Sequence, residues 1–214
     1  MDYTNSQKGI QKIFIGEILT LVSVLISVIA TILMFITGRS LNTAASSAAA
    51  GMSSGGLFFL STALALAAFI LTILGISSAS KDENNFKNAL AALFVGIIAN
   101  SAQSAVSGKG ALVAGLFVVV ETFCQFLVTY YIVSGTLNLA RSIHDREVQA
   151  LGLDTLKLIL LFYAVILVLN IISVALSAGT LSAAGVITSL LAMIASLAVG
   201  IVYLRLLSKA RGMF

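Results

Sequence analysis

Leu158–Ser177 reads LILLFYAVILVLNIISVALS, twenty residues without a charge. A spanning helix needs roughly 20 mainly apolar residues to cross a hydrocarbon core of about 30 Å. Five further stretches meet the same requirement: Ile13–Gly38, Gly56–Ser78, Ala89–Ser107, Ala111–Leu137 and Ala183–Leu204. Long apolar runs favour helices, because the strands of a barrel would alternate over segments of about ten residues. The pattern predicts an all-α polytopic membrane protein with six transmembrane helices.

Composition agrees. Of 214 residues, 59% are hydrophobic and 9% are charged, and mean hydropathy is +1.10. A soluble domain carries about a quarter charged residues, so this chain has too few charges to coat a water-facing surface. It reads as a single transmembrane domain over 1–214, with the lipid bilayer as its main partner. The net charge of +4 bears on orientation and does not point to nucleic acid. Pro and Trp are absent. The commonest cause of a sharp helix kink is therefore missing, and Tyr and Phe must serve at the interfaces. The first apolar run far exceeds the 7–15 residues of a signal-peptide core, so it is expected to stay in place.

With the N-terminus inside, Lys8, Lys12, Lys81, Lys87, Arg141, Arg146, Lys157, Arg205, Lys209 and Arg211 fall on the inner side. Only Arg39 and Lys109 fall outside. The positive-inside rule then predicts both termini in the cytoplasm, and the plasma (cytoplasmic) membrane as location. Outer connections are expected at Asn42–Gly51, Ser104–Gly110 and Ser177–Ser182, all built from small residues. The one sizeable inner connection is Arg141–Lys157.

A shift of 70 residues lays Lys87–Arg141 on Lys157–Arg211 without a gap. Lys87 then matches Lys157, Asn100 matches Asn170 and Arg141 matches Arg211. Residues 12–81 fit the same scheme with a longer outer loop. Repeats at approximately 12–81, 87–141 and 157–211 predict three same-orientation hairpins in a pseudo-three-fold arrangement. This plan resembles that of mitochondrial carriers. Their signature proline and acidic–basic motif has no counterpart in a chain without Pro, so their function is not carried over.

Residues at i, i+3, i+4 and i+7 share a helix face. On that spacing Gly96, Asn100, Gln103, Ser104 and Ser107 form a stripe in the third span. Tyr163, Asn170, Ser173 and Ser177 form one in the fifth, and Glu17, Thr20, Ser23, Ser27 and Thr31 one in the first. The second and sixth spans read as more uniformly apolar. Turned inward, the stripes of the three opening helices would line a polar pathway. Equally, Ser, Thr and Asn can join helices with no solute present.

Glu121 stands out in the fourth span, ten residues from Ala111 and hence about 15 Å deep at 1.5 Å per residue. An ionisable group there costs about 2.5–3.5 kcal/mol on insertion scales, which marks a functional candidate. Gln125, Thr129 and Thr136 continue its face. Glu17 reads as close to the inner edge, within reach of water or Lys12 by snorkelling. Cys124, the single cysteine, reads as a small core residue and His144 as a solvated loop histidine. No metal-ligand cluster, phosphate-binding loop or paired carboxylates at one depth occurs. The expectation is therefore not an enzyme, with no cofactor and no metal.

Two functional readings follow. One is a small transporter or channel for a small polar or cationic solute, with possible proton coupling, using Glu121, Gln125, Asn100, Gln103, Asn170, Ser173, Glu17 and Ser27. The other is a non-transporting scaffold, or the membrane subunit of a larger complex. Either permits a homo-oligomer.

Overall fold

A computed structural model describes residues 3–40, 44–106, 111–177 and 183–214. The fold is six helices: α1 (Thr4–Ser40), α2 (Ala44–Ala79), α3 (Asn84–Val106), α4 (Ala111–Ser142), α5 (Arg146–Ser177) and α6 (Ala183–Ala210). Within the described residues, five helices carry a stretch long and apolar enough to cross a membrane: Thr4–Leu33, Gly56–Ala79, Gly115–Ser142, Arg146–Ile172 and Leu190–Ala210. Helix α3 is more polar, with Asn84, Asn85, Lys87 and Asn88 at its start and Asn100, Ser101 and Gln103 towards its end. Large apolar side chains crowd the outside of the bundle, Phe59 being 79% and Ile98 68% exposed. That is the surface a hydrocarbon solvent requires.

The helices outrun the apolar spans. α1 begins nine residues before Ile13, because Gly9, Ile10 and Ile13 are buried while Lys8 points outward. α2 begins at Ala44, so most of the expected outer connection Asn42–Gly51 is helical. Its Ala-rich, Pro-free run has no reason to break. The remaining outer connections, 41–43, 107–110 and 178–182, lie outside the described residues. Arg141–Lys157 is likewise not a loop. The chain turns at His144, whose φ of 62° places it in the left-handed region. The Asp145 N–H donates to the Ala140 carbonyl at 2.9 Å, closing α4. The Asp145 carboxylate then accepts from the Val148 N–H at 3.0 Å and caps α5. His144 is exposed, as expected.

Each hairpin partner packs most closely on its mate: α1 on α2, α3 on α4, α5 on α6. α4 also packs on α5, α1 meets α6, and α2 touches α3 lightly. The six helices thus follow one another around the bundle in chain order. Between α1 and α2 the backbones touch. A Cβ on Gly9 would lie 2.6 Å from the Gly75 carbonyl oxygen, and one on Gly75 would lie 2.7 Å from that of Gly9. Without a hydrophobic drive between helices in lipid, such small-residue contact is what holds a pair together.

Burial is concentrated at one end. Ile10, Ile13, Ile76, Phe86, Ile132, Leu139, Leu206 and Leu207 belong to one buried cluster. All sit towards the end that holds Thr4 and Ala210.

Substitution at the two kinds of glycine should have opposite signs. Gly75→Ala forces backbone apart and is expected to cost about 1–3 kcal/mol. Gly56→Ala meets nothing within 4 Å and should be neutral or stabilising by up to about 1 kcal/mol. Thermal unfolding of the purified protein in detergent measures both.

Candidate functional site

Above the buried cluster, the helices line a cavity of about 640 Å³ that is partly open to the outside. Its lining follows from helical phase. α1 contributes Glu17, Thr20, Leu21 and Val24; α3 contributes Gly96 and Asn100; α4 contributes Glu121, Cys124, Gln125 and Thr129. α5 contributes Tyr163 and Ile166, and α6 contributes Ser196, Val199, Gly200 and Tyr203. In α1, α3, α4, α5 and α6 alike, the buried-cluster residues continue towards the Thr4/Ala210 end. The packed end is therefore the cavity's floor. Among the described residues, no Lys, Arg or His lines it.

The two carboxylates stand in different surroundings. Asn100 donates from Nδ2 to Glu121 Oε2 at 3.1 Å, and Gln125 donates from Nε2 to Oε1 at 3.3 Å. Each oxygen of Glu121 thus has an amide donor. Glu17 has no side-chain hydrogen bond or ion pair among the described residues. It reaches α6, where a Cβ placed on Gly200 would lie 3.1 Å from Glu17 Oε1. It also stands within electrostatic reach of Tyr163 and Tyr203. Glu17 faces the inside of the bundle and makes no ion pair with Lys12. α1 starts at Thr4, so thirteen residues, about 20 Å of helix, precede Glu17.

Other polar groups act between helices. Thr129 and Tyr163 share a hydrogen bond at 3.2 Å. Asn170 donates from Nδ2 to Thr122 Oγ1 at 2.9 Å. Ser61 of α2 lies 3.0 Å from the Ser23 hydroxyl and 2.6 Å from that of Ser27. The buried Tyr203 hydroxyl has no partner.

Of the residues singled out in the sequence, Glu17, Asn100, Glu121 and Gln125 come together around the cavity. Gln103, Asn170 and Ser27 are not in its lining. The side chain of Ser173 is outside the described residues. Asn100 and Asn170 reach successive residues of α4, Glu121 and Thr122, from the helices on either side of it. The lining also departs from the opening-helix scheme, since α4 and α6 contribute as fully as α1 and α3. The α6 contribution was legible: Ser196, Gly200 and Tyr203 stand at i, i+4 and i+7. The apolar bulk of that helix hides the stripe.

No protein-family profile, curated protein or solved structure matches this chain.

Two hydroxyls separate helix-joining from cavity roles. Ser61→Ala removes the α1–α2 hydroxyl cluster and should cost about 0.6–1.7 kcal/mol, the range measured for interhelical bonds in membranes. Tyr203→Phe removes a buried hydroxyl that has no partner and should leave stability unchanged or raised. Unfolding midpoints in detergent read out the contrast.

Proposed function

We propose that the protein is a small membrane transporter or channel for a small polar or cationic solute, and that the cavity is where the solute sits. One observation carries the reading: two carboxyl groups face a cavity between the helices whose lining, among the described residues, has no basic side chain. Charged groups inside membrane spans are expensive and are kept for solute pathways, proton relays or structural pairs. A volume of about 640 Å³ lies within the roughly 300–1,000 Å³ of small-molecule sites. The close-packed floor supplies a barrier that a transport cycle would have to open, and a carboxylate such as Glu121 could couple that step to protons. Amides and hydroxyls around Glu121 and Thr129 would guide a hydrated or hydrogen-bonding solute.

In this reading both termini are cytoplasmic and the membrane is the plasma membrane, on the ten-to-two distribution of positive residues. The three hairpins form same-orientation repeats, supported by the dominance of packing within each hairpin. No catalytic role is assigned. Cys124 lines the cavity, whereas His144 lies at the α4–α5 turn, so they form no nucleophile–base pair.

The scaffold reading draws on a specific observation of its own. The Ser23–Ser27–Ser61 cluster and the Asn170–Thr122 bond join helices with no solute involved. Electrical recordings from proteoliposomes distinguish the two. Concentration jumps of protons, sodium, potassium, ammonium and choline should evoke charge movement with the wild type for at least one of them. Glu121→Gln should keep the fold and abolish the signal. Glu121→Leu, which copies Leu191 of the matching repeat position, should also loosen the bundle. Silence across the panel, or Glu121→Gln with wild-type currents, favours the scaffold.

A further inference from the structure

The cavity's carboxylates differ in what they still lack. Glu121 has an amide donor on each oxygen, which holds it oriented. Glu17 faces the same space without a hydrogen bond or ion pair among the described residues. A charge in a largely apolar interior needs a counter-charge or strong hydrogen bonds. Beside it stands Tyr203, 4% exposed, with its hydroxyl unpartnered. Two polar groups that line the same cavity, both without a partner among the described residues, mark an incomplete site on its wall.

The remaining walls say what completes it. Leu21, Val24, Ile97, Val128, Val199 and Phe69 surround the carboxylates. Gly200 lets α1 pack closely on α6, where an added Cβ would meet Leu21 Cδ2 at 2.4 Å and Glu17 Oε1 at 3.1 Å. Hard inorganic divalent cations take six to eight oxygen ligands in a tight shell. Among the described residues, no three His, Cys, Asp or Glu side chains converge. A space this large and this apolar suits a bulky body with one positive charge, with aromatic side chains such as Tyr163 and Phe69 adding attraction for a cation.

We propose that the cavity binds an organic cation with an apolar body, with the Glu17 carboxylate as its counter-charge and Glu121 as a second, amide-braced acidic contact. The proposal rests on the solute-handling reading above and narrows its substrate class.

Tetraphenylphosphonium and tetraphenylborate test it, because they share shape and differ in the sign of charge. Titration calorimetry on the full chain in detergent should detect saturable binding of the phosphonium and none of the borate. Glu17→Gln should weaken phosphonium binding at least about tenfold, the scale of one hydrogen bond or contact to a charged group. Ile97→Trp, which puts a bulky ring into the cavity lining, should exclude the phosphonium, with a helical circular-dichroism spectrum like that of wild type as the control for folding. Equal binding of both ions, or phosphonium binding that Glu17→Gln and Ile97→Trp leave intact, would overturn the proposal. So would no phosphonium binding by a protein that conducts sodium or potassium, and in that case the transport reading survives. Phosphonium binding lost in both variants, in a protein with no transport of any cation, upholds the organic-cation site and removes the transport reading instead.

Discussion

A carboxyl group surrounded by hydrocarbon is expensive to ionise, and Glu17 and Glu121 differ in what their surroundings offer such a group. The cost is several kcal/mol even after the surroundings relax. Glu121 meets it by recruiting amides from its own helix and from α3. Glu17 is met by neither an amide nor a cation among the described residues; it opens on a cavity instead. The cavity is thus the space onto which this unpartnered carboxyl group opens, and the described residues around it contribute no positive charge.

The rest of the structure makes such a cavity tenable. In lipid there is no hydrophobic gain from bringing helices together, so packing and interhelical hydrogen bonds must hold the bundle around an open space. Gly9 and Gly75 let α1 and α2 touch along the backbone, and Ser23, Ser27 and Ser61 bond the same pair farther along. Asn170 ties α5 to α4. Below the cavity, Ile10, Phe86, Ile132 and Leu206 close the bundle in a dense plug. Rigidity at one end and space in the middle follow one division: a close-packed aliphatic cluster at the Thr4/Ala210 end, and beyond it a lining that mixes apolar side chains with Glu17, Asn100, Glu121 and Gln125.

How much of this was legible depended on whether neighbours decide the outcome. Six helices follow from mainly apolar runs long enough to cross hydrocarbon. Their ends did not follow, because Lys8, Arg146 and Asp154 read as loop signals although a helix can carry them on its exposed face. A start of α1 at Ile13 also hid the turns that precede Glu17. Glu121 stood out because a lone acid in an apolar run has few interpretations. Tyr203 did not, because a tyrosine near a helix end reads as an interfacial anchor, and only packing against α1 brings it to Glu17. Asn170 and Ser27 belonged to polar stripes, but their choice of partner, Thr122 and Ser61, depends on which helices are adjacent.

The central claim is that the interior around Glu17 and Glu121 is a water-accessible space with a preference for positive charge. The most direct measurement places one cysteine at Ser196, a lining residue whose hydroxyl bonds only its own helix at the Ala192 carbonyl, in a Cys124→Ser background. Its rates of modification by cationic and anionic methanethiosulfonates of similar size are then compared in proteoliposomes. The account predicts that the trimethylammonium reagent reacts faster than the sulfonate by at least about tenfold, as a cleft of one sign of charge should impose. A cysteine inert to both reagents, or one that reacts with both at equal rates, would contradict it.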